Sequence, residues 1–192
     1  MRTVVSAVVT LIVATVVFGF AFPGLMTGFA QLAFPNKADG SLVEVNGQVV
    51  GSHLAAQAFT QPQYFHPRPS AVDYNAAGTS FANLGPTNPD LASAVDERIQ
   101  AILELEGPYN PGLEAGDIPV DAVTTSGSGI DPDISPAYAE LQAVRIAEVR
   151  RLTPERVQEL IDDATASRFI GFFGEPGVNV LDLNVALDRE SR

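Results

Sequence analysis

The sequence of 192 residues contains no cysteine, no tryptophan and only one lysine, Lys37. Without cysteine the chain can build neither a disulfide framework nor a thiolate metal site, and its redox compartment cannot be inferred. The single lysine also excludes a phosphate-binding P-loop, because Lys37 follows Asn36 and lies outside any G-x-x-x-x-G-K-[ST] pattern.

The chain begins with a long stretch without charge, since Thr3 to Asn36 contains no Asp, Glu, Lys, Arg or His. A helix from Thr3 to about Leu25 is long enough to cross a hydrocarbon core of about 30 Å. A helix also forms the hydrogen bonds of its backbone groups internally, as lipid requires. The alternative is a cleaved signal peptide, but its apolar core is only about 7–15 residues long and ends in a small-x-small site. The sequence therefore predicts a retained anchor and interfacial segment over 1–36, with one domain over 37–192.

The orientation of this anchor depends on very few basic residues. Arg2 precedes the apolar run, and Lys37 follows it. If Arg2 stays in the cytoplasm, the positive-inside rule places the domain on the extracytoplasmic side of the membrane. We predict this single-pass orientation with a cytoplasmic N-terminus, although charge alone leaves the reverse open.

Beyond residue 36 the chain is acidic, with 23 acidic against ten basic residues and a net charge of −13. Nucleic-acid binding requires a basic surface, so no nucleic-acid partner is expected. An acidic exterior keeps the domain soluble, and its attraction for cations is weak and screened by salt.

Local patterns predict a mixed α+β domain behind a single transmembrane helix. Asn-Pro, Ser-Pro and Thr-Pro pairs are typical of capped helix starts, and Asn-Gly is typical of a tight hairpin turn. These signals predict a hairpin around Asn46-Gly47 and helices over 89–106, 136–151 and 154–166. We also expect a short helix over 53–59 capped by Ser52 and an extended piece over 118–125. The segment over 178–187 fits both the strand and the helix period, and we favour a helix.

Two glycines at the end of the apolar run form a G-x-x-x-G pattern, Gly24 and Gly28. Small residues at this spacing allow a second transmembrane helix to approach closely, although the pattern is common by chance. Pro23, just before them, is expected to kink or end the helix.

Residues with catalytic potential are few and poorly matched to known arrangements. His53 and His66 are 13 positions apart and have no Cys or third His beside them, so no metal site is expected. Neither Ser126 nor Ser128 lies in a G-x-S-x-G pattern. Asp131 and Asp133 fit a proline-rich turn better than an acid/base pair. The sequence predicts a subunit or binding module rather than an enzyme.

Ordered blocks along nearly the whole chain resemble one family, the C subunit of the Kdp-type potassium-transporting ATPase. The blocks include Gly40-Ser41-Leu42, Tyr64-Phe65-His66, Arg68-Pro69-Ser70-Ala71, Asn83-Leu84-Gly85-Pro86, Asn88-Pro89, Ser126-Gly127-Ser128-Gly129, Ser135-Pro136, Gly174-Glu175-Pro176 and Val178-Asn179-Val180-Leu181.

The resemblance implies an accessory, non-catalytic subunit of a high-affinity potassium uptake complex in a bacterial inner membrane. Its implied partners are a channel-like potassium-binding subunit and a P-type ATP-hydrolysing subunit, and it has no cofactor of its own because the complex handles ATP and potassium. The family role of catalytic chaperone implies a nucleotide contact, for which Ser126, Gly127, Ser128, Gly129 and Gln142 are the candidates. The predicted orientation conflicts with that contact, because it places the domain on the side without ATP. The alternative function is a stand-alone anchored domain that binds or hydrolyses a ligand.

Overall fold

The computed structural model describes residues 1–190 and divides the chain into two compact units, Met1–Leu42 and Val43–Arg192. Mixed helices and strands follow one long N-terminal helix, as the sequence predicts. The first unit is helical, and its elements are α1 (Arg2–Val16), a π-helical turn (Val17–Ala21), α2 (Phe22–Ala33) and α3 (Pro35–Ala38).

Arg2 to Ala33 form one continuous helix with a mean hydropathy of 2.6 and no buried residue in its apolar window, so it could span a membrane. Of the two outcomes expected at Pro23, a kink or an end, the end is wrong, because the helix continues past it. A π-turn precedes the proline, and the Phe22 N–H bonds to the Val17 carbonyl. This wider turn accommodates a residue that has no N–H and crowds the preceding carbonyls, and the helix then continues for ten residues beyond Pro23, to Ala33.

The second unit contains two small sheets and five helices among the described residues. Its strands are β1 (Leu42–Val45, beginning at the unit boundary), β2 (Gln48–Ser52), β3 (Asp133–Ile134), β4 (Thr165–Ala166) and β5 (Gly177–Asn179). Its helices are α4 (Pro89–Glu106), α5 (Val120–Val123), α6 (Pro136–Arg150), α7 (Pro154–Asp163) and α8 (Val180–Glu190). Single 3₁₀ turns lie at Ala76–Gly78 and Ala115–Asp117.

The core of this unit lies between the helices and an antiparallel sheet of order β3-β5-β4. Val178 on the central strand pairs with Ile134 on one side and Thr165 on the other, and its side chain is fully buried. Helices α6, α7 and α8 contribute most of the remaining apolar core, through Tyr138, Ala139, Ile146, Ala147, Val157, Leu160, Ile161, Val180, Leu183 and Leu187.

The three predicted capped helices are confirmed, because each cap is a local interaction. Asn88 Oδ1 accepts from Asp90 N at 2.9 Å, Ser135 Oγ from Tyr138 N at 3.1 Å, and Thr153 Oγ1 from Arg156 N at 3.2 Å. The third helix ends at Asp163, earlier than predicted, because the chain there joins the sheet as β4. The C-terminal segment is a helix from Val180 to Glu190, but Val178 and Asn179, the first two residues of the predicted range, lie in β5.

Two local predictions are wrong because groups distant in the sequence form hydrogen bonds with the backbone of these segments. Residues 53–59 form no helix: the Ser52 hydroxyl accepts from Leu54 N in a turn, and Ala56 N donates to the Ile130 carbonyl instead of to a helical partner. The 118–125 stretch contains the single-turn helix α5 rather than an extended piece. Arg98 of α4 donates to the Val123 carbonyl at 2.9 Å and holds the end of that turn.

Candidate functional site

The candidate loop Ser126–Gly129 is bound to the rest of the domain mainly through its backbone. Ser126 is buried, and its N–H donates to the Pro69 carbonyl at 3.3 Å. The Ser128 carbonyl accepts from Ser80 N at 3.1 Å, and the Gly129 carbonyl accepts from the Ser70 hydroxyl at 2.6 Å. Only Gly127 and Ser128 are exposed, so these two residues form the accessible part of the loop.

The two glycines of this loop differ in what they require. Gly129 has a φ of +73°, and a Cβ there would lie 2.5 Å from Val72 Cγ2 and 2.9 Å from the Ser80 carbonyl oxygen. Gly127 does not have a positive φ, and a Cβ there would meet no heavy atom within 4 Å. Of the two glycines in this loop, only Gly129 therefore requires a left-handed backbone.

Gln142 is buried at 1% exposure, and its amide contacts the backbone of His66. Its Oε1 accepts from His66 N at 2.7 Å, and its Nε2 donates to the His66 carbonyl at 3.1 Å. These two bonds satisfy the N–H and the carbonyl of His66, which lies in an irregular segment and does not pair with a strand. The same Oε1 also accepts from Arg145 Nη2 at 3.0 Å.

Arg145, fully buried at 0% exposure, is the centre of a polar network that sequence reasoning missed. Its Nε donates to Glu106 Oε1 at 2.9 Å, and its Nη1 donates to the carbonyls of Pro62 and Tyr64. Burial raises the pKa of the Glu106 carboxyl, while the adjacent Arg145 guanidinium opposes that shift. Glu106 Oε2 has no hydrogen-bond partner among the described residues.

Asn184 of α8 binds the backbone of Phe65 in the same way that Gln142 binds His66. Its Oδ1 accepts from Phe65 N at 2.8 Å, and its Nδ2 donates to the Phe65 carbonyl at 3.0 Å. The Phe65 side chain is fully buried in the core. Three polar side chains on α6 and α8 therefore satisfy the backbone of an extended stretch that belongs to neither sheet.

The loop and Gln142 both contact one stretch of chain, Pro62–Tyr74, but at different places. The loop bonds to Pro69 and Ser70, whereas Gln142 bonds to His66. No hydrogen bond joins the loop to Gln142 directly in the part of the chain that the structure describes. The Ser126–Gly129 loop and Gln142 therefore both help to hold the stretch Pro62–Tyr74 in place.

The histidines and the paired aspartates lie apart from any metal-like arrangement. Burial lowers the pKa of His66, whose Nε2 lies 3.1 Å from the Gln61 carbonyl oxygen. Asp131 accepts from Arg68 Nη1 at 3.0 Å and from Asp133 N at 3.2 Å, so it caps its own turn. Within residues 1–190, no three His, Asp or Glu side chains lie close enough to hold a metal ion.

Gly24 and Gly28 both lie in α2, four residues apart and therefore on one side of the helix. A Cβ added at either position would meet no heavy atom within 4 Å, so neither glycine is required by packing within the described part of the chain.

These features define a class of protein: a mixed helix-and-strand domain, without a recognisable catalytic arrangement in residues 1–190, that follows one helix able to span a membrane. A family model described as KdpC, the c chain of K⁺-transporting ATPase, matches residues 4–189. The chain belongs to this family.

Similar proteins from several organisms cover almost the full chain. The potassium-transporting ATPase KdpC subunit of Beijerinckia indica is 50% identical over 95% of this chain and 91% of its own length. The subunits of the same name from Burkholderia orbicola and Mycobacterium tuberculosis are 48% and 47% identical, and each alignment covers 98% of this chain and at least 97% of the relative. The sequence resemblance is thereby confirmed.

Proposed function

We propose that this chain is a non-catalytic accessory subunit of an ATP-driven potassium uptake complex. It assembles with a P-type ATP-hydrolysing subunit and a channel-like potassium-binding subunit, and it has no cofactor of its own. Family membership supports this role, and so does the use of the domain's buried polar groups. Arg145, Gln142 and Asn184 direct their hydrogen bonds to other groups of the domain, which suits a rigid assembly element better than a reacting centre.

The proposed orientation places the domain outside the cytoplasm, with Arg2 inside. Ala77 lies in an exposed turn, and the chain has no native cysteine, so an Ala77→Cys variant carries one thiol at a known place. We expect this thiol to react with a membrane-impermeant reagent in intact cells. A buried control, Ala139→Cys at 0% exposure, is expected to remain unlabelled. If Ala77→Cys were labelled only after membrane rupture, the domain would lie on the cytoplasmic side and the proposed orientation would be wrong.

The anchor is proposed to pack on a partner helix through Gly24 and Gly28. A branched side chain at both positions would hold the two backbones apart and remove close contacts. We expect Gly24→Ile with Gly28→Ile to lower the yield of copurified complex in mild detergent. The matched control, Ala30→Ile with Ala33→Ile, adds bulk on the other side of the same helix and is expected to leave the yield unchanged. Equal yields from both pairs would mean that the anchor only tethers the domain.

The resemblance also implies that the domain raises the ATP affinity of the hydrolysing subunit through Ser126–Gly129 and Gln142. The accessible residue for testing this role is Ser128, because Gln142 is buried and its loss would disturb the fold. A glutamate at Ser128 would repel a phosphate at the loop. Since the proposed orientation excludes ATP from this side, we expect Ser128→Glu to leave the ATP concentration for half-maximal hydrolysis unchanged in the purified complex. A several-fold rise in an intact complex would instead support the nucleotide contact and refute the orientation.

A further inference from the structure

The segment between β4 and β5 exposes an unusual group of large apolar side chains. Its end, Phe169–Gly174, is called the apolar tip here and contains no charged or polar side chain. The exposed fractions are 71% for Phe169, 69% for Ile170, 63% for Phe172 and 57% for Phe173. Elsewhere in the described domain such residues are exposed singly or in pairs, so the tip is a concentrated apolar patch of the kind that marks an interaction site.

The backbone holds this patch outward as an ordered hairpin. Phe169 N donates to the Phe173 carbonyl at 2.8 Å, and Phe173 N donates to the Phe169 carbonyl at 3.0 Å. Ile170 has a φ of +52°, a left-handed conformation that is unfavourable for a β-branched residue, and Gly171 follows at +82°. The rings of Phe172 and Phe173 contact each other with centroids 4.2 Å apart. The tip is therefore a convex projection with much of its backbone hydrogen bonding satisfied internally.

We propose that the apolar tip inserts into the interfacial region of the lipid bilayer as a second membrane contact of this chain. Aromatic side chains favour that region, and the internal hydrogen bonds of the hairpin reduce the cost of placing its backbone there. The domain around it is strongly acidic, which disfavours contact of its other surfaces with anionic headgroups. An uncharged tip avoids this repulsion.

The length of the chain supports the bilayer as the occupant. The helix that could span the membrane ends at Ala33, and the domain begins at Val43. The nine residues between them reach at most roughly 32 Å, so the anchor confines the domain to the neighbourhood of the membrane on whichever side it lies. Confinement raises the effective concentration of the tip at the lipid surface, as for any tethered second contact.

The absence of tryptophan permits a direct test with the full-length chain in lipid nanodiscs. Phe172→Trp introduces the only tryptophan and keeps an aromatic ring in the tip. In nanodiscs made of uncharged lipid with brominated acyl chains, we expect its fluorescence to be quenched and its emission to be shifted to the blue. The control is Phe81→Trp, an exposed aromatic position of the same domain, whose fluorescence is expected to be unaffected by bromine and quenched by aqueous iodide.

A second variant separates insertion from the general proximity of the domain to lipid. Phe169→Asp with Phe173→Asp, added to Phe172→Trp, places charges in exposed positions and is expected to abolish the quenching by brominated lipid while the circular dichroism spectrum is retained. The proposal is overturned if Phe172→Trp remains unquenched by brominated lipid in the nanodisc. If that tryptophan becomes protected from iodide only on assembly with the other subunits, the occupant is a partner protein and the proposal also fails. The measurement uses neither ATP nor the complex in its first arm, so its outcome does not depend on the proposed transport function.

Discussion

Arg145→Met is expected to destabilise the domain by about 3–5 kcal/mol, the cost of breaking a buried ion pair by removal of one partner. Methionine fills much of the same space, so the loss is one of charge and hydrogen bonds rather than of volume. Glu106 would remain buried without its cation, and the carbonyls of Pro62 and Tyr64 would lose their donor. For a domain of this size the unfolding midpoint should fall by roughly 10 °C, measured by circular dichroism on the detergent-solubilised chain.

The pH dependence of this variant supplies an independent check. Burial already raises the pKa of Glu106, and Arg145 opposes the shift, so removal of Arg145 raises the pKa further. The folded variant then binds a proton more tightly than the unfolded chain does. Its stability is therefore greatest below the ordinary carboxyl pKa and decreases as the pH rises through the raised value, which makes the variant less stable at neutral pH than at mildly acidic pH.

An exposed arginine serves as the matched control for Arg145. Arg156 contacts Glu159 at 2.6 Å and Glu190 at 2.7 Å, but its side chain is 40% exposed. Arg156→Met is expected to lower the unfolding midpoint far less than Arg145→Met does, because water and salt screen surface ion pairs. Equal destabilisation by the two variants would refute the assignment of Arg145 as the centre of the buried network.

Gly129→Ala is the second change for which a large effect is expected. The left-handed backbone costs a non-glycine residue about 1–2 kcal/mol, and the new methyl group would meet Val72 and the Ser80 carbonyl at distances that force a shift. Overpacking of this kind typically adds about 1–3 kcal/mol. A decrease of roughly 2–5 kcal/mol in the free energy of unfolding is therefore expected from chemical denaturation of the solubilised chain.

Gly127→Ala, two residues away, is the control within the same loop. Its φ is not positive and the space around it is open, so the change should stay within about 0.5 kcal/mol. If Gly127→Ala were the more destabilising of the two, the structural difference between these glycines would be wrong. Because Gly127→Ala should not unfold the loop, the same variant can be used to alter its exposed surface when the activity of the complex is measured.

The sequence alone predicted the features that depend on neighbouring residues. The charge-free run over Thr3–Asn36 predicts a helix long enough to span a membrane, because hydrophobic length and internal hydrogen bonding are properties of the segment itself. The Asn-Pro, Ser-Pro and Thr-Pro starts were confirmed for the same reason, since a cap joins residues two or three positions apart. Family membership also follows from the ordered sequence blocks.

Tertiary structure decided the features in which distant groups compete for the same backbone. Ser52 carries a good cap signal, yet residues 53–59 form no helix because Ala56 bonds to Ile130, 74 positions later. The Arg145–Glu106 pair joins residues 39 positions apart on two helices, and no spacing rule connects them. Gly127 and Gly129 are chemically identical in the sequence, and only the packing of Val72 and Ser80 distinguishes them. Local patterns determine which helices and turns can form. Each buried polar group must find a hydrogen-bond partner, and this requirement determines which of those helices and turns persist and which contacts each side chain makes.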